Sequence, residues 1–571
     1  MQKLRPNRAW GRIAPVPSRL LATVGCLSVA LHAWGQSMTD QEEQRRRAQQ
    51  QAQERAQQQS APDVRLPAEA APRLDDLSLP DESPCFPIHT LEVDGAQARP
   101  FAWIAPYLQH YAGRCIGQGG INLIVKRIGA QLLAEGYVTT RIGIPAQDLS
   151  SGTLKLVLVP GVLRAIRIAE GSSDTHWQNA FPMKPGDLLN LRDLEQGLEQ
   201  LKRVPSQDAE MDIVPGDKPG ESDVLLKIKR SKAWRLGVSL DDSGLKATGK
   251  RQASLNYAWD NPLGLNDLFS LNLNSDAQQD DEWRGTTGYG WQYSLPWGYW
   301  TFGASESVYR YHQTVSGINQ SFISSGASRS QEVKIQRLMY RDQSSKTTLQ
   351  FRTGQRLSQS FVADTEIQVQ HRRAAFAELA LQQRQYVGPV QLDASLARRE
   401  GVPWFGGYDD PAGHTSANPT YRYAMTVVDV GGLAAFHLGS QPVRWIGAFH
   451  GQTTHDVLYA ADQIAIGNRY TVRGFDGEQT LSGERGWYLR NELEFALGAS
   501  GQSLYGGVDH GRVGGPSTET LTGKHLTGGV LGLRGAWQGA YYDVFLSVPI
   551  QKPDGFTSAH PATGFQIGYQ F

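Results

Sequence analysis

Trp487-Tyr488-Leu489-Arg490-Asn491-Glu492-Leu493-Glu494-Phe495-Ala496-Leu497 decides the fold. Trp487, Leu489, Leu493 and Phe495 share one face of an extended chain, and Arg490, Glu492 and Glu494 share the other. Two more stretches repeat the alternation. Phe269, Leu271 and Leu273 alternate with Ser270, Asn272 and Asn274, and at the C-terminus Phe565, Ile567, Tyr569 and Phe571 alternate with Gln566, Gly568 and Gln570. A period of two with aromatics on one side and charges on the other fits a wall between lipid and a hydrated lumen. A strand structure satisfies its backbone in a bilayer only when closed. Residues 232–571, at about 20 residues per strand and connection, allow about 16 strands. A soluble sandwich or propeller is the competing architecture.

Working outward, the first 35 residues read as an export signal. Lys3, Arg5, Arg8, Arg12 and Arg19 precede the apolar run Leu20 to Leu31, and Ala33-Trp34-Gly35 places small residues for cleavage before Gln36. Removing this segment takes the net charge from 0 to −5. Charge balance argues against nucleic-acid binding, which needs a basic excess. Cys26 lies inside the apolar run, without the leucine that a lipid-attachment site would place before it. Export leaves Cys85 and Cys115, most simply a disulfide in an oxidising periplasm.

Residues 36–60 form a polar Gln-rich segment, whose core Gln41 to Gln59 is rich in helix formers and has no apolar stripe. It is either a disordered polar tract or a helix surrounded by water, for example inside a hydrated pore. Residues 61–84 carry Pro62, Pro67, Pro72, Pro80 and Pro84 and read as an extended tether. From Cys85 to Ser231 a β-α-α-β-β pattern occurs twice, over 85–160 and 161–231. Its helices are expected at Trp103 to Tyr111, Ile121 to Glu135, Thr175 to Phe181 and Leu191 to Arg203.

No catalytic, metal or cofactor motif emerges. Gly244 to Arg251 is one residue short of a P-loop, with Arg251 where the Mg²⁺-binding hydroxyl belongs, and it reads as a turn between strands. Asp509 and His510 fall on opposite faces of a strand and cannot act on one substrate. His450 and His455 are expected to be solvated.

The run Tyr470 to Phe495 (YTVRGFDGEQTLSGERGWYLRNELEF), the opening SPCFPIHTLEVDG, the GRCIG around Cys115 and the stretch Leu240 to Leu268 together closely resemble the outer-membrane transporters of two-partner secretion, the TpsB family. Those proteins serve haemolysins, filamentous adhesins and contact-dependent inhibition toxins. The resemblance covers nearly the whole mature chain. It implies an N-terminal plug helix, two periplasmic POTRA domains and a 16-stranded transmembrane β-barrel. It also implies one dedicated secreted partner protein; with no nucleotide site in the sequence, transport is expected to run without ATP, and the repeated β-α-α-β-β units are expected to capture the partner unfolded in the periplasm. A monomer in outer-membrane lipid is expected, inserted by the barrel-assembly machinery, with Phe565, Ile567, Tyr569 and Phe571 as the C-terminal assembly signal. The alternatives are a barrel-assembly factor of the same superfamily, or an outer-membrane enzyme or porin, which would have no use for paired periplasmic modules.

The resemblance further implies that a long loop carries Val472-Arg473-Gly474-Phe475 back into the lumen. The residues allow a physical case for where it docks. If Leu504 and Val508 face lipid, Tyr505, Gly507, Asp509 and Gly511 face inward. Two glycines leave room for a loop, and Asp509 offers Arg473 a carboxylate. Otherwise Arg473 and Asp509 each face lumen water and never meet.

Overall fold

The computed structural model describes residues 38–66, 74–278, 282–317 and 320–571. The expected export signal, Cys26 included, and Pro67 and Pro72 of the linker lie outside the described residues.

Sixteen long antiparallel strands close into a barrel, from Trp234–Asp241 to Ala562–Gln570, and these two pair with each other across the seam. Closure leaves no strand edge unpaired in lipid. The alternation read from sequence has the polarity the bilayer demands. Leu489 and Leu493 are exposed on the outer wall, whereas Glu492 and Glu494 are buried toward the lumen. Tyr569 and Phe571 are likewise exposed and sit edge to face, 4.7 Å between ring centroids. The segment Gly244 to Arg251 lies in the connection between Trp234–Asp241 and Gln252–Asp260.

Helix α1 (Met38–Ser60) stands inside the barrel. The residues it buries are Thr39, Asp40, Glu42, Gln44, Arg45 and Ala48, five of the six polar. A segment without an apolar stripe can be buried this way because the wall supplies partners. Thr39 Oγ1 lies 2.7 Å from both Tyr311 Oη and Ser360 Oγ, Arg372 donates to Asp40 at 2.6 Å, and Thr248 donates to Glu42 at 2.7 Å.

Two small domains precede the barrel. In the first, Thr90–Asp94 pairs in parallel with Thr153–Val159, which pairs with the short strand Arg141–Gly143. Helices α2 (Ile104–Gln109) and α3 (Gln118–Ala134) cover the sheet through Ile104, Leu108, Ile124, Ile128 and Leu132. Cys85 and Cys115 form a disulfide with their Cα atoms 5.4 Å apart. The strand Phe86–Ile88 pairs with Arg114–Ile116, so the bridge joins two segments already hydrogen-bonded.

In the second domain Val162–Ile168 and Gln207–Pro215 flank Glu221–Arg230, and α4 (Leu191–Lys202) packs on the sheet. Asn190 caps α4, accepting from the Arg192 N–H at 2.8 Å. The helix expected at Thr175 to Phe181 is only the 3₁₀ turn Trp177–Asn179. Pro182 disfavours helical backbone at Phe181, and the Asn179 amide instead donates to the carbonyls of Leu265 and Pro296 in the barrel.

The linker is no free tether. The Leu66 N–H donates to Glu195 at 2.7 Å, Asp63 pairs with Lys346, and Leu74, Leu77 and Leu79 pack on the first domain's core. Glu82 accepts from the N–H groups of Gly117, Gly119 and Gly120 at 3.0, 2.7 and 2.7 Å, occupying the N-terminus of α3. These hydrogen bonds, led by that of Gly120, hold its carboxyl below the usual range.

Candidate functional site: an inward loop docked on the barrel wall

The chain between the strands Gln441–Thr454 and Arg485–Ala496 is the loop that carries residues 472–475. It folds on itself through a short hairpin, Ile464–Ile466 with Leu481–Gly483. Ile464, Ile466, Val472, Phe475 and Leu481 then pack with Tyr488, Val513 and Leu526 of the wall. Phe475 meets Phe556 edge to face at 5.5 Å. Gly474 has φ +113°, a conformation side-chain-bearing residues avoid, and this turns the chain at the tip.

Arg473 emerges from that turn against the strand Gln502–Gly514. Its Nε and Nη2 donate to the two carboxylate oxygens of Asp509 at 2.7 and 2.9 Å, and its backbone N–H donates to the same carboxylate at 3.0 Å. The Asn491 N–H adds a bond to Asp509 at 3.3 Å. Asp509 is 0% exposed and Arg473 6%, so each charge relies on these partners in place of water. Nη1 of Arg473 donates to Glu492, whose other oxygen accepts from Arg534 at 2.7 Å. One guanidinium therefore bridges two carboxylates on adjacent strands, a task suited to a planar fork.

The wall is cut to receive the loop. A Cβ on Gly507 would stand 2.9 Å from Arg473 Nη2, and one on Gly511 2.8 Å from Val472 Cγ2. The tightest approach is at Gly528, where a Cβ would lie 1.8 Å from the Arg473 carbonyl oxygen. Tyr505 faces inward but is not brought to the tip. Its hydroxyl donates to Asp543 at 2.7 Å and its ring lies under Arg534.

Sequence reasoning did not find Glu492 as a partner of Arg473, nor Gly528. The signals were a lumen-facing acid two strand positions from Arg490 and the pair Gly528-Gly529 inside a strand. His450 corrects the expectation of solvation. It is 3% exposed, with Nδ1 2.8 Å from Asp429 and its ring on Tyr488, because loop and helix fill the lumen around it. His455 is exposed.

The loop also meets α1. Gln41 donates to the Glu478 carbonyl at 2.8 Å, Gln44 to that of Ala460 at 2.6 Å, and Arg47 to that of Ala461 at 3.1 Å. At the opposite end of the barrel, Arg341 reaches Glu195 and Glu199 of α4 at 3.3 and 2.9 Å, and Gln196 and Gln200 donate to the Gly298 carbonyl at 3.2 and 3.3 Å.

A closed barrel with a lipid-facing exterior, a lumen holding a helix and an infolded loop, and two small domains at one rim defines an outer-membrane barrel transporter. Comparison with known proteins agrees. Residues 220–535 match the family described as haemolysin secretion/activation protein ShlB/FhaC/HecB, residues 86–161 a ShlB-type POTRA domain, and residues 162–215 a POTRA domain. Outer membrane transporter CdiB-2 of Burkholderia pseudomallei (strain 1026b) is 44% identical over 512 residues, 86% of this chain and 88% of that protein. Hemolysin transporter protein ShlB of Serratia marcescens is 28% identical, covering 76% of this chain and 77% of its own. The solved structure of CdiB from Acinetobacter baumannii superposes with a TM-score of 0.83 at 28% identity, covering 94% of this chain and 100% of that one. The chain belongs to the haemolysin secretion/activation family, the outer-membrane transporters of two-partner secretion, with its POTRA domains in the periplasm.

Proposed function

We propose that this chain captures one dedicated partner protein, unfolded, at its POTRA domains and passes it through the barrel without ATP. A contact-dependent toxin is the favoured partner class, since CdiB-2 is the 44% relative. The observation that carries the reading is the joint occupation of the lumen by α1 and the docked loop, both held by contacts that leave a wide barrel once broken. The segments act as first delimited: 1–35 as signal, 36–60 as plug, 61–84 as linker, 85–160 and 161–231 as the two POTRA domains, and 232–571 as barrel. Val472 to Phe475 hold the loop to Gly507, Asp509 and Gly511, while Phe565, Ile567, Tyr569 and Phe571 address the chain to the assembly machinery. The protein acts as a monomer, and its work is transport, with folding of the emerged partner biasing movement outward.

The edge strands of the POTRA sheets, Thr90–Asp94 and Gln207–Pro215 among them, are open to addition of an extended segment by backbone hydrogen bonds. Deleting residues 85–231 from a barrel that still inserts should abolish secretion of the partner, and normal secretion would refute capture at these domains. Deleting Gln41 to Gln59 should raise single-channel conductance in planar bilayers, and an unchanged conductance would remove the plug from the reading.

A further inference from the structure

The outer wall carries charge at a height where lipid chains end. Along the strand Trp300–Ser316 the lipid-facing row is Trp300, Phe302, Ala304, Glu306, Val308, Arg310 and His312. Trp300 belongs to the periplasmic end, where its ring stacks with Phe302 and lies near the Arg337 guanidinium. Ten residues further, at about 3.3 Å per residue and a tilt of about 40°, Arg310 stands about 25 Å above it. That is the height of the apolar band, so Arg310 and His312 meet the headgroups of the outer leaflet.

The sheet is hollowed at this level. A cleft of about 720 Å³ opens beside Arg310 and His312, with Gly285, Thr287, Ser325 and Ala327 among the residues that line it. These are the outward neighbours of the two basic residues in register, Gly285 and Ser325 opposite His312, Thr287 and Ala327 opposite Arg310. The small side chains beside the two basic residues make the depression, which Phe361 bounds on the strand beyond Ser325, and a Cβ on Gly285 would stand 2.6 Å from the imidazole. Arg284 borders it from above, donating to the Lys246 carbonyl at 3.0 Å and to Gln278 at 3.0 Å. Among the described residues that line it the carboxylate is Asp276, which accepts from the N–H groups of Thr286 and Gln278. Below the cleft, Glu306 is paired with Arg329 at 3.2 Å and accepts from Gln331 and the Tyr289 hydroxyl at 3.0 and 3.1 Å, so its charge is spent within the wall. Arg310 is exposed and makes no ion pair among the described residues.

We propose that this exterior cleft binds the phosphate-bearing headgroup of an outer-leaflet glycolipid, with Arg310 and His312 on the phosphate and the acyl chains lying along Val308, Phe302 and Trp300. An unpaired cation at the headgroup level attracts an anion, and a hollow of hydroxyls and small residues admits a sugar phosphate where a bulky wall would not. The site lies on the opposite side of the wall from the transport path and is independent of the partner.

The full chain, stripped of lipid in maltoside micelles, is titrated with bisphosphorylated lipid A and with its fully dephosphorylated form, and bound lipid is counted by native mass spectrometry. The phosphorylated form should bind more tightly. Arg310→Gln should weaken it about five-fold and Arg310→Glu about twenty-five-fold, with no effect on the dephosphorylated form. Glu306→Gln should strengthen it by releasing Arg329. Each variant barrel is first shown to be folded by its heat-modifiable migration. Equal binding of the two lipid forms, or binding unchanged by Arg310→Glu, would overturn the proposal. So would displacement of the lipid by millimolar inorganic phosphate, which would mark a general anion site.

Discussion

Replacing Asp509 by alanine isolates the contact that holds the loop tip. The substitution removes the acceptor of three Arg473 hydrogen bonds and leaves a guanidinium that is 6% exposed. Breaking a buried ion pair by removing one partner costs about 3–5 kcal/mol. Glu492 still faces Nη1 of Arg473, which places this case at the lower end. A cost of about 3 kcal/mol lowers the docking equilibrium by a factor of about 150. Arg473→Lys keeps the charge but cannot reach Asp509 through two nitrogens and Glu492 through a third, and should cost about 2 kcal/mol. Two readouts report on it: the partner released to the medium at equal barrel content, and cleavage of the loop by trypsin added to intact cells. Each single variant should lower secretion and expose the loop. Arg473→Ala combined with Asp509→Ala should lose about 2 kcal/mol less than the sum of the two. Strictly additive losses, or a loop as protected in Asp509→Ala as in the native chain, would refute the docking contact.

Gly528→Ala should undock the loop without touching a charge, because its Cβ would meet the Arg473 carbonyl at 1.8 Å; Gly506→Ala, whose nearest contact is 3.8 Å, is the silent control in the same trypsin assay. Opening the disulfide, whose cysteines are separated by 30 residues, should destabilise the first POTRA domain by about 3–4 kcal/mol, read as a lower melting temperature of Cys85→Ser with Cys115→Ser. The Glu82 cap on α3 should respond to acid with a definite sign. Its folded carboxyl lies below the ordinary value, so its contribution is complete above the unfolded value of about 4.3 and is lost as pH falls through the folded one. Proteolysis at residues 74–84 should therefore rise only in strong acid, and Glu82→Gln should abolish that rise.

The barrel was legible because lipid and water impose opposite demands on alternate residues, and Phe269, Leu271 and Leu273 or Trp487, Leu489 and Leu493 obey them within one strand. The inward aim of Asp509 followed from the same alternation. What a single strand does not carry is which residue stands across from which. Glu492 reaches Arg473 because Glu492 pairs with Gly507, two positions from Asp509 on the next strand, a register set by the whole closed sheet. Gly528 meets the tip for the same reason, pairing with Asp509 from the other side. His450 was misread because a polar lumen suggests water, whereas here protein fills it. The linker was misread as a tether because its prolines speak of local stiffness, while its leucines and Glu82 find partners distant in sequence.

In the proposed cycle the order of release follows from what each element buries. Ala48 is the one apolar side chain that α1 buries; its other contacts with the wall are hydrogen bonds, ion pairs and the stacking of Arg46 and Arg55 on Tyr309 and Tyr488. Such bonds are exchanged for bonds to water at a net cost of about 0.5–1.5 kcal/mol each, so the helix can withdraw without exposing an apolar face. The loop tip is held differently, by Val472 and Phe475 in an apolar cluster, each worth about 1.5–3 kcal/mol, and by the Arg473 bridge. The helix should therefore leave first. Its departure takes from the loop the bonds of Gln41, Gln44 and Arg47 to the carbonyls of Glu478, Ala460 and Ala461, which brace the segments on either side of the tip. In that cycle the helix acts as a brace on the loop, and its removal leaves the loop held by its apolar cluster and by the contacts of Arg473 with Asp509 and Glu492.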